Sequence, residues 1–201
     1  MTNFIVLITA VLSIMAFYSQ DLMRRLIFNP YMISEHRQWY RFLTSGFIHA
    51  DWIHLIINML VLWSFGNVVE RYYEAIFEEK AVFYFILLYL GGIIISITPS
   101  YKKHMHNAGY NALGASGAVS AVLFTAILFR PLDKVYLYGV IGLPGIFLGV
   151  AYLVYSYYMD KKGGDFVNHD AHFWGAVYGI LFTILLKPSV AMHFLDQLTA
   201  F

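Results

Sequence analysis

The chain contains no cysteine. That removes disulfides, thiolate metal centres and a cysteine nucleophile together. Charge is almost as scarce: Asp, Glu, Lys and Arg make up 12% of the 201 residues, against about 25% in an average soluble domain. The formal net charge of +1 gives no basic footprint, so no nucleic-acid partner is expected. Internal repeats, low-complexity tracts and an H-E-x-x-H zinc motif are also missing. What remains is apolar. At 60% hydrophobic residues, the composition is that of an integral membrane protein in a lipid bilayer, not of a globular domain with a large core. Seventeen Phe, sixteen Tyr and four Trp fit a multi-pass chain, because Tyr and Trp concentrate at the two bilayer interfaces.

A membrane-spanning helix needs about 20 mostly apolar residues. Six stretches carry no Asp, Glu, Lys or Arg: 4–20, 52–69, 81–101, 111–129, 135–159 and 171–186. The last ends at Lys187-Pro188, a stop signal. The start, MTNF, lacks the basic n-region of a signal peptide, so residues 4–20 read as the first span. These features predict an all-α polytopic fold: six transmembrane helices in a single domain over 1–201, with a long membrane-associated first loop. That loop, 21–51, is longer than most connections and rich in aromatics, so it should contain structure of its own. Arg24, Arg25, Arg37, Arg41, Lys102, Lys103, Lys161 and Lys162 lie on one side of such a bundle. Arg71, Lys80, Arg130, Lys134 and Lys187 lie on the other. The bias places the first loop in the cytoplasm.

Polar groups inside the spans are costly in lipid and mark the bundle interior. His54 and Asn58 are four apart and share one helix face. His172, Gly175, Ala176 and Gly179 share another, at i, i+3, i+4 and i+7, and all but the histidine are small. The fourth span, NALGASGAVSAVLF, offers Gly117, Ser120 and Ala121 just after Ser116. Two small faces permit close backbone approach, which would bring the imidazole of His172 to the hydroxyl of Ser116. A neutral imidazole can take the proton that keeps serine a poor nucleophile. Asp170 is two positions before His172, on the far side of a helix, so the arrangement predicts a Ser–His dyad without a carboxylate. Backbone N–H groups at a helix start, with His54 and Asn58, could receive the oxyanion. His49 and His54 are about 140° apart on a helical wheel and form no paired metal face. His36, His104, His106, His169 and His193 read as solvated loop or tail positions. GLPGIFLG, with Pro144 and three glycines, reads as a loosened or kinked fifth helix.

Taken in order, these parts resemble the rhomboid intramembrane serine proteases. The resemblance rests on WYRFLTSGFIHADWIHLIIN, on GNVVE, on GASG and on AHFWGAVYG. It implies a six-helix bundle enclosing a water-filled cavity, with no cofactor and no metal. It implies Ser116 as nucleophile and His172 as base, and an oxyanion hole from His54, Asn58 and the Ser116 amide. Arg41, His49, Glu70, Gly114, Gly117, Gly175 and Gly179 fall at supporting positions. It implies single-pass transmembrane proteins as substrates, and a first loop in the outer leaflet with both termini cytoplasmic, opposite to the charge count. A bacterial cytoplasmic membrane is the expected location. Two departures stand out. The family's adjacent Trp-Arg is here Trp39-Tyr40-Arg41. The aromatic that the family often places four residues after the serine, stacked on the histidine, is here Ser120. The alternative is a catalytically inactive rhomboid-like scaffold that binds membrane-protein clients. A transporter fits less well, because no acidic residue lies in any span.

Overall fold

In lipid, a segment must satisfy its own backbone N–H and C=O groups, so apolar stretches fold as helices. The computed structural model describes residues 1–137, 140–162 and 168–199. Each of the six predicted stretches holds a long helix: α1 (Thr2–Tyr18), α5 (Trp52–Phe77), α6 (Ala81–His104), α7 (Ser116–Phe129), α8 (Gly145–Lys162) and α9 (His169–Leu186). The first loop folds into α2 (Gln20–Leu26), α3 (Pro30–His36), α4 (Arg41–Thr44) and a 3₁₀ turn, Ser45–Phe47. Among the described residues, one continuous helical stretch, Trp52–His104, is by length and composition fit to cross a membrane. A second qualifies if α9 and the C-terminal α10 (Ser189–Thr199), bent by 112° to each other, count as one. α1 and α7 are apolar but shorter.

Large apolar side chains cover the outer surface as well as filling the core. α1 buries Thr2, Ile5, Thr9, Ser13 and Ala16 on one face and turns Phe4, Leu7, Val11 and Met15 outward. α5 likewise exposes Ile53, Ile56, Ile57, Leu60 and Trp63. A soluble surface rarely tolerates so large an apolar area; a lipid-facing one requires it.

α7 is the hub. From Gly117 to Phe129 every residue but Leu123 is buried, and the helix packs against α9, α6 and α5. Its contact with α9 is made backbone to backbone. A Cβ at Gly175 would fall on the Gly117 carbonyl, and one at Gly179 on the Ala121 carbonyl. Gly117 itself leaves room for the Ser96 side chain of α6. Lower on the same seam, Thr125 Oγ1 donates to the Gly179 carbonyl at 3.1 Å and lies 3.2 Å from Thr183 Oγ1, which in turn shares a 2.8 Å hydrogen bond with Tyr73 OH. Three helices are thereby tied through one buried polar cluster.

Several expectations are corrected. The fourth stretch is helical only from Ser116, because residues 111–115 are irregular, with Ala112 bridged to Phe28 of the first loop. The fifth begins as an antiparallel hairpin, β1 (Lys134–Leu137) with β2 (Ile141–Pro144); positions 138 and 139 lie outside the described residues. Pro144 closes β2 and kinks no helix, while Gly145 and Gly149 of α8 are buried and Gly149 is a close-approach position. His193 lies on α10 and is exposed. Finally, His169 opens α9 and is 4% exposed, not solvated; His104 is likewise half-buried at the end of α6, stacked on Tyr110 at 3.7 Å.

Because the atoms opposing Gly175 and Gly179 are backbone, even a methyl must force α7 and α9 apart. Gly175→Ala and Gly179→Ala should each lose about 1–3 kcal/mol in thermal or denaturant unfolding in detergent. Gly109→Ala, in an exposed loop, should change stability by less than about 0.5 kcal/mol.

Candidate active site

Ser116 is the first residue of α7. The first i→i−4 bond of that helix is Val119 N–H to Ala115 O at 2.9 Å, so the amides of Ser116, Gly117 and Ala118 have no acceptor one turn back. The chain reaches this point through Gly114, whose φ of +117° lies in the left-handed region. A Cβ there would also stand 2.7 Å from the His54 ring. Both facts require glycine.

The first loop pins this approach by consecutive hydrogen bonds. Gly114 N–H donates to Ser45 O at 2.9 Å, and Ala115 N–H donates to His49 Nε2 at 3.3 Å. Since Nε2 accepts, the neutral ring of His49 carries its proton on Nδ1. That proton is given to Ser13 Oγ, 3.0 Å away, and Ser13 donates in turn to Phe47 O at 3.2 Å. One oriented chain thus joins α1, the 3₁₀ turn and the residue before Ser116. His49 is fully buried. Burial first, and then the neighbouring His54, hold its pKa down at about 3. The loop is itself held by Arg41, which is 5% exposed. Its guanidinium donates to Gln38 Oε1 at 2.6 Å and to the carbonyls of Arg24 and Ile27 at 2.8 and 2.6 Å. Next to Ile27, Phe28 exchanges both backbone hydrogen bonds with Ala112, each at 3.0 Å. Trp39 is exposed and stacks on Phe42 with 6.1 Å between ring centres, so the Trp-Tyr-Arg order leaves arginine inside and tryptophan outside. Glu70 accepts the Thr2 backbone N–H at 2.8 Å, fastening α1 to α5.

His54 stands on the first turn of α5, whose N-cap, Asp51, accepts the His54 amide at 2.8 Å. Asn58 follows one turn on, with one amide hydrogen committed to the His54 carbonyl at 2.9 Å. His49 and His54 do meet, with ring centres 4.9 Å apart; the helical-wheel separation did not apply because His49 precedes the helix. His172 lies one turn into α9, whose N-cap, Asn168, accepts the Ala171 amide at 3.1 Å. The charged groups closest in effect to Asp170 are Asp160, Lys103 and His104.

Ser116, His172, His54 and Asn58 line one cavity of about 790 Å³, together with Ser120 and Tyr152. The close α7–α9 seam starts directly beneath Ser116 and His172, at Gly117 and Gly175. The cavity is of ligand-binding size, and Ser116, at the start of α7 where backbone amides lack intrahelical acceptors, is among its lining residues. That set can support attack by a hydroxyl on an acyl carbon.

Residues 36–189 match the family model of the Rhomboid domain. The chain belongs to the rhomboid family. Rhomboids are membrane-integral, generally serine intramembrane proteases, acting on membrane proteins within the bilayer. The match spans every candidate site residue from Arg41 to Gly179. The chain is 30% identical over 176 residues to Rhomboid-like protein 11, chloroplastic, of Arabidopsis thaliana, covering 81% of this chain and 58% of that protein. It is 27% identical over 172 residues to RHOMBOID-like protein 12, mitochondrial, of the same plant, covering 76% of this chain and 49% of the relative. It is 32% identical over 143 residues to Presenilin-associated rhomboid-like protein A, mitochondrial, of Danio rerio, covering 68% and 34%. The chain therefore spans only about a third to three-fifths of these relatives' lengths. Their names place them in plastids and mitochondria, which gives no support to a bacterial cytoplasmic membrane.

Sequence reasoning missed Tyr152, which stacks on His172, and His169, which meets His172 edge to face with ring centres 5.7 Å apart. His169 was detectable, because it lies three residues before His172 and so on its face. Tyr152 was not, since Tyr152, Tyr155, Tyr157 and Tyr158 crowd one helix and only its rotation selects among them.

His49 gives a pH test. Its folded pKa is depressed from 6.5, so the unfolded chain binds the extra proton between pH 6.5 and about 3. The stability it contributes is present above pH 6.5 and is lost as the pH falls toward 3. The unfolding temperature of the wild type should fall more steeply over that window than that of the non-titrating His49→Gln variant.

Proposed function

We propose that the chain is an intramembrane serine endopeptidase that cleaves single-pass transmembrane proteins, with Ser116 and His172 as its dyad. The six long helices are read as six spans of one membrane domain over 1–201, with the first loop in the outer leaflet. The observation that carries the reading is that Ser116 and His172 open onto one cavity at the tight end of the α7–α9 seam, with His54 and Asn58 facing them.

In this mechanism Ser116 Oγ attacks the scissile carbonyl while His172 accepts its proton. The oxyanion is received by amides at the start of α7, by His54 and by the second amide hydrogen of Asn58. Collapse breaks the C–N bond, and His172 returns the proton to the leaving amine. Water then enters the cavity, loses a proton to His172 and hydrolyses the ester, restoring Ser116. The family offers helix-breaking sequences as favoured substrates, which would let an extended peptide bond reach a hydroxyl recessed in a cavity.

A fluorophosphonate probe on detergent-purified protein tests the dyad. The wild type should be labelled, and Ser116→Ala and His172→Ala should neither label nor cleave a model transmembrane substrate. Cleavage by either variant would defeat the assignment, and an unlabelled, inactive wild type would favour a client-binding scaffold. Asn58→Ala should retain labelling but lose about 10²-fold in cleavage rate, as expected for one oxyanion donor.

A further inference from the structure

An imidazole that must accept a proton from Ser116 and then deliver it to a leaving amine has to keep one ring orientation through both steps. The α7 position from which an aromatic ring would reach His172, four residues after Ser116, is held by Ser120. The structure puts a ring on the imidazole from a different helix. Tyr152 of α8 stacks on His172 with ring centres 5.7 Å apart and planes 21° from parallel, within the range of favourable offset stacking.

The tyrosine is fixed at both ends. Its hydroxyl shares a 2.9 Å hydrogen bond with Ser120 Oγ, and its ring leans on Phe124 of α7 at 6.1 Å. Ser120 is itself buried, at 2% exposed. One turn earlier, Gly149 lets α8 approach closely: a Cβ there would stand 3.0 Å from Ile127 and 3.2 Å from Phe124. A second rung lies beside the first, where Tyr155 meets the His169 ring edge to face at 5.6 Å. Tyr152 and Tyr155 are three apart on α8, and His169 and His172 are three apart on α9, so two antiparallel helices present matched rings to each other.

We infer that Tyr152 is a positioning residue for the His172 imidazole, tethered by Ser120, so that the base is held by α8 and not by α7. This rests on the Ser116–His172 reading above. It has a consequence for α8, which exposes Phe147, Val150 and Val154 on its outer side and buries only Gly145, Gly149 and Ser156. Any outward displacement of this peripheral helix removes the ring from the imidazole, so base orientation depends on α8 being seated.

The test compares Tyr152→Leu, Tyr152→Phe and the wild type with the same transmembrane substrate. Loss of the ring should lower kcat by about 10²-fold, the scale of a small misplacement of a catalytic group, with KM unchanged. Tyr152→Phe keeps the ring and should recover most of that loss. In the wild-type protein in detergent micelles, NMR should show nuclear Overhauser contacts between the Tyr152 and His172 rings, a measurement that needs no variant to fold. Absence of those contacts, or a folded Tyr152→Leu with wild-type kcat, overturns the positioning role. If Ser116→Ala and His172→Ala are inactive in the same assay, that result leaves the dyad standing; if either cleaves, the dyad itself has failed.

Discussion

Everything about this molecule depends on how closely α7 and α9 approach. Their contact is not a meshing of side chains but of peptide groups, with Gly175 and Gly179 resting over the carbonyls of Gly117 and Ala121. Lipid supplies no hydrophobic force to press helices together, so close packing and hydrogen bonding must do so. Small residues make the first possible, and the Thr125–Thr183–Tyr73 cluster supplies the second. Ser116 sits one residue before Gly117 on one helix, and His172 sits about one turn before Gly175 on the other. The chemistry proposed for the site therefore inherits its precision from the least bulky residues in the chain.

A second constraint acts on the residues leading into α7. Backbone outside a regular helix must find partners or leave costly groups unpaired. Here the first loop provides them: Ser45 for Gly114, His49 for Ala115 and Phe28 for Ala112. Arg41 then holds that loop by its own carbonyls. The loop is thus a scaffold for the first turn of α7, which explains how an arginine comes to be buried in a protein with so little charge. Neutral His49 is part of the same scaffold, since a proton on Nε2 would face the Ala115 amide with two donors and no acceptor.

α8 stands apart from this tight group. It is the helix with the fewest buried residues among the long ones, yet it supplies the ring against His172. On the reading proposed here, a close-packed pair of helices would carry the reacting groups and a peripheral helix their support, so access and activity would not be independent. On the same reading, a substrate helix that leaned on α8 would disturb the His172 ring unless the Tyr152–Ser120 tether held.

Much of this was legible from residue order. The charge-free stretches contain the long helices, the Lys187-Pro188 stop ends α9, and the spacing of His172, Gly175 and Gly179 announces the seam, because helical periodicity converts spacing directly into a shared face. The pairing of His54 with Asn58 follows for the same reason. Reasoning from apolarity alone failed where the chain is apolar without being helical: at 111–115, which hydrogen-bonds to the first loop in irregular form, and at the paired strands 134–137 and 141–144. The wheel argument failed for His49, which lies off the helix, and His169 was set aside as loop although its three-residue spacing from His172 was visible. What sequence by itself determined, then, was membership of each helix face, since that is a local property of a 3.6-residue repeat. Which face meets which, and hence that Tyr152 and not another tyrosine of α8 lies on His172, was decided only by tertiary structure, because the rotation of one helix against another is set by packing among residues far apart in the chain.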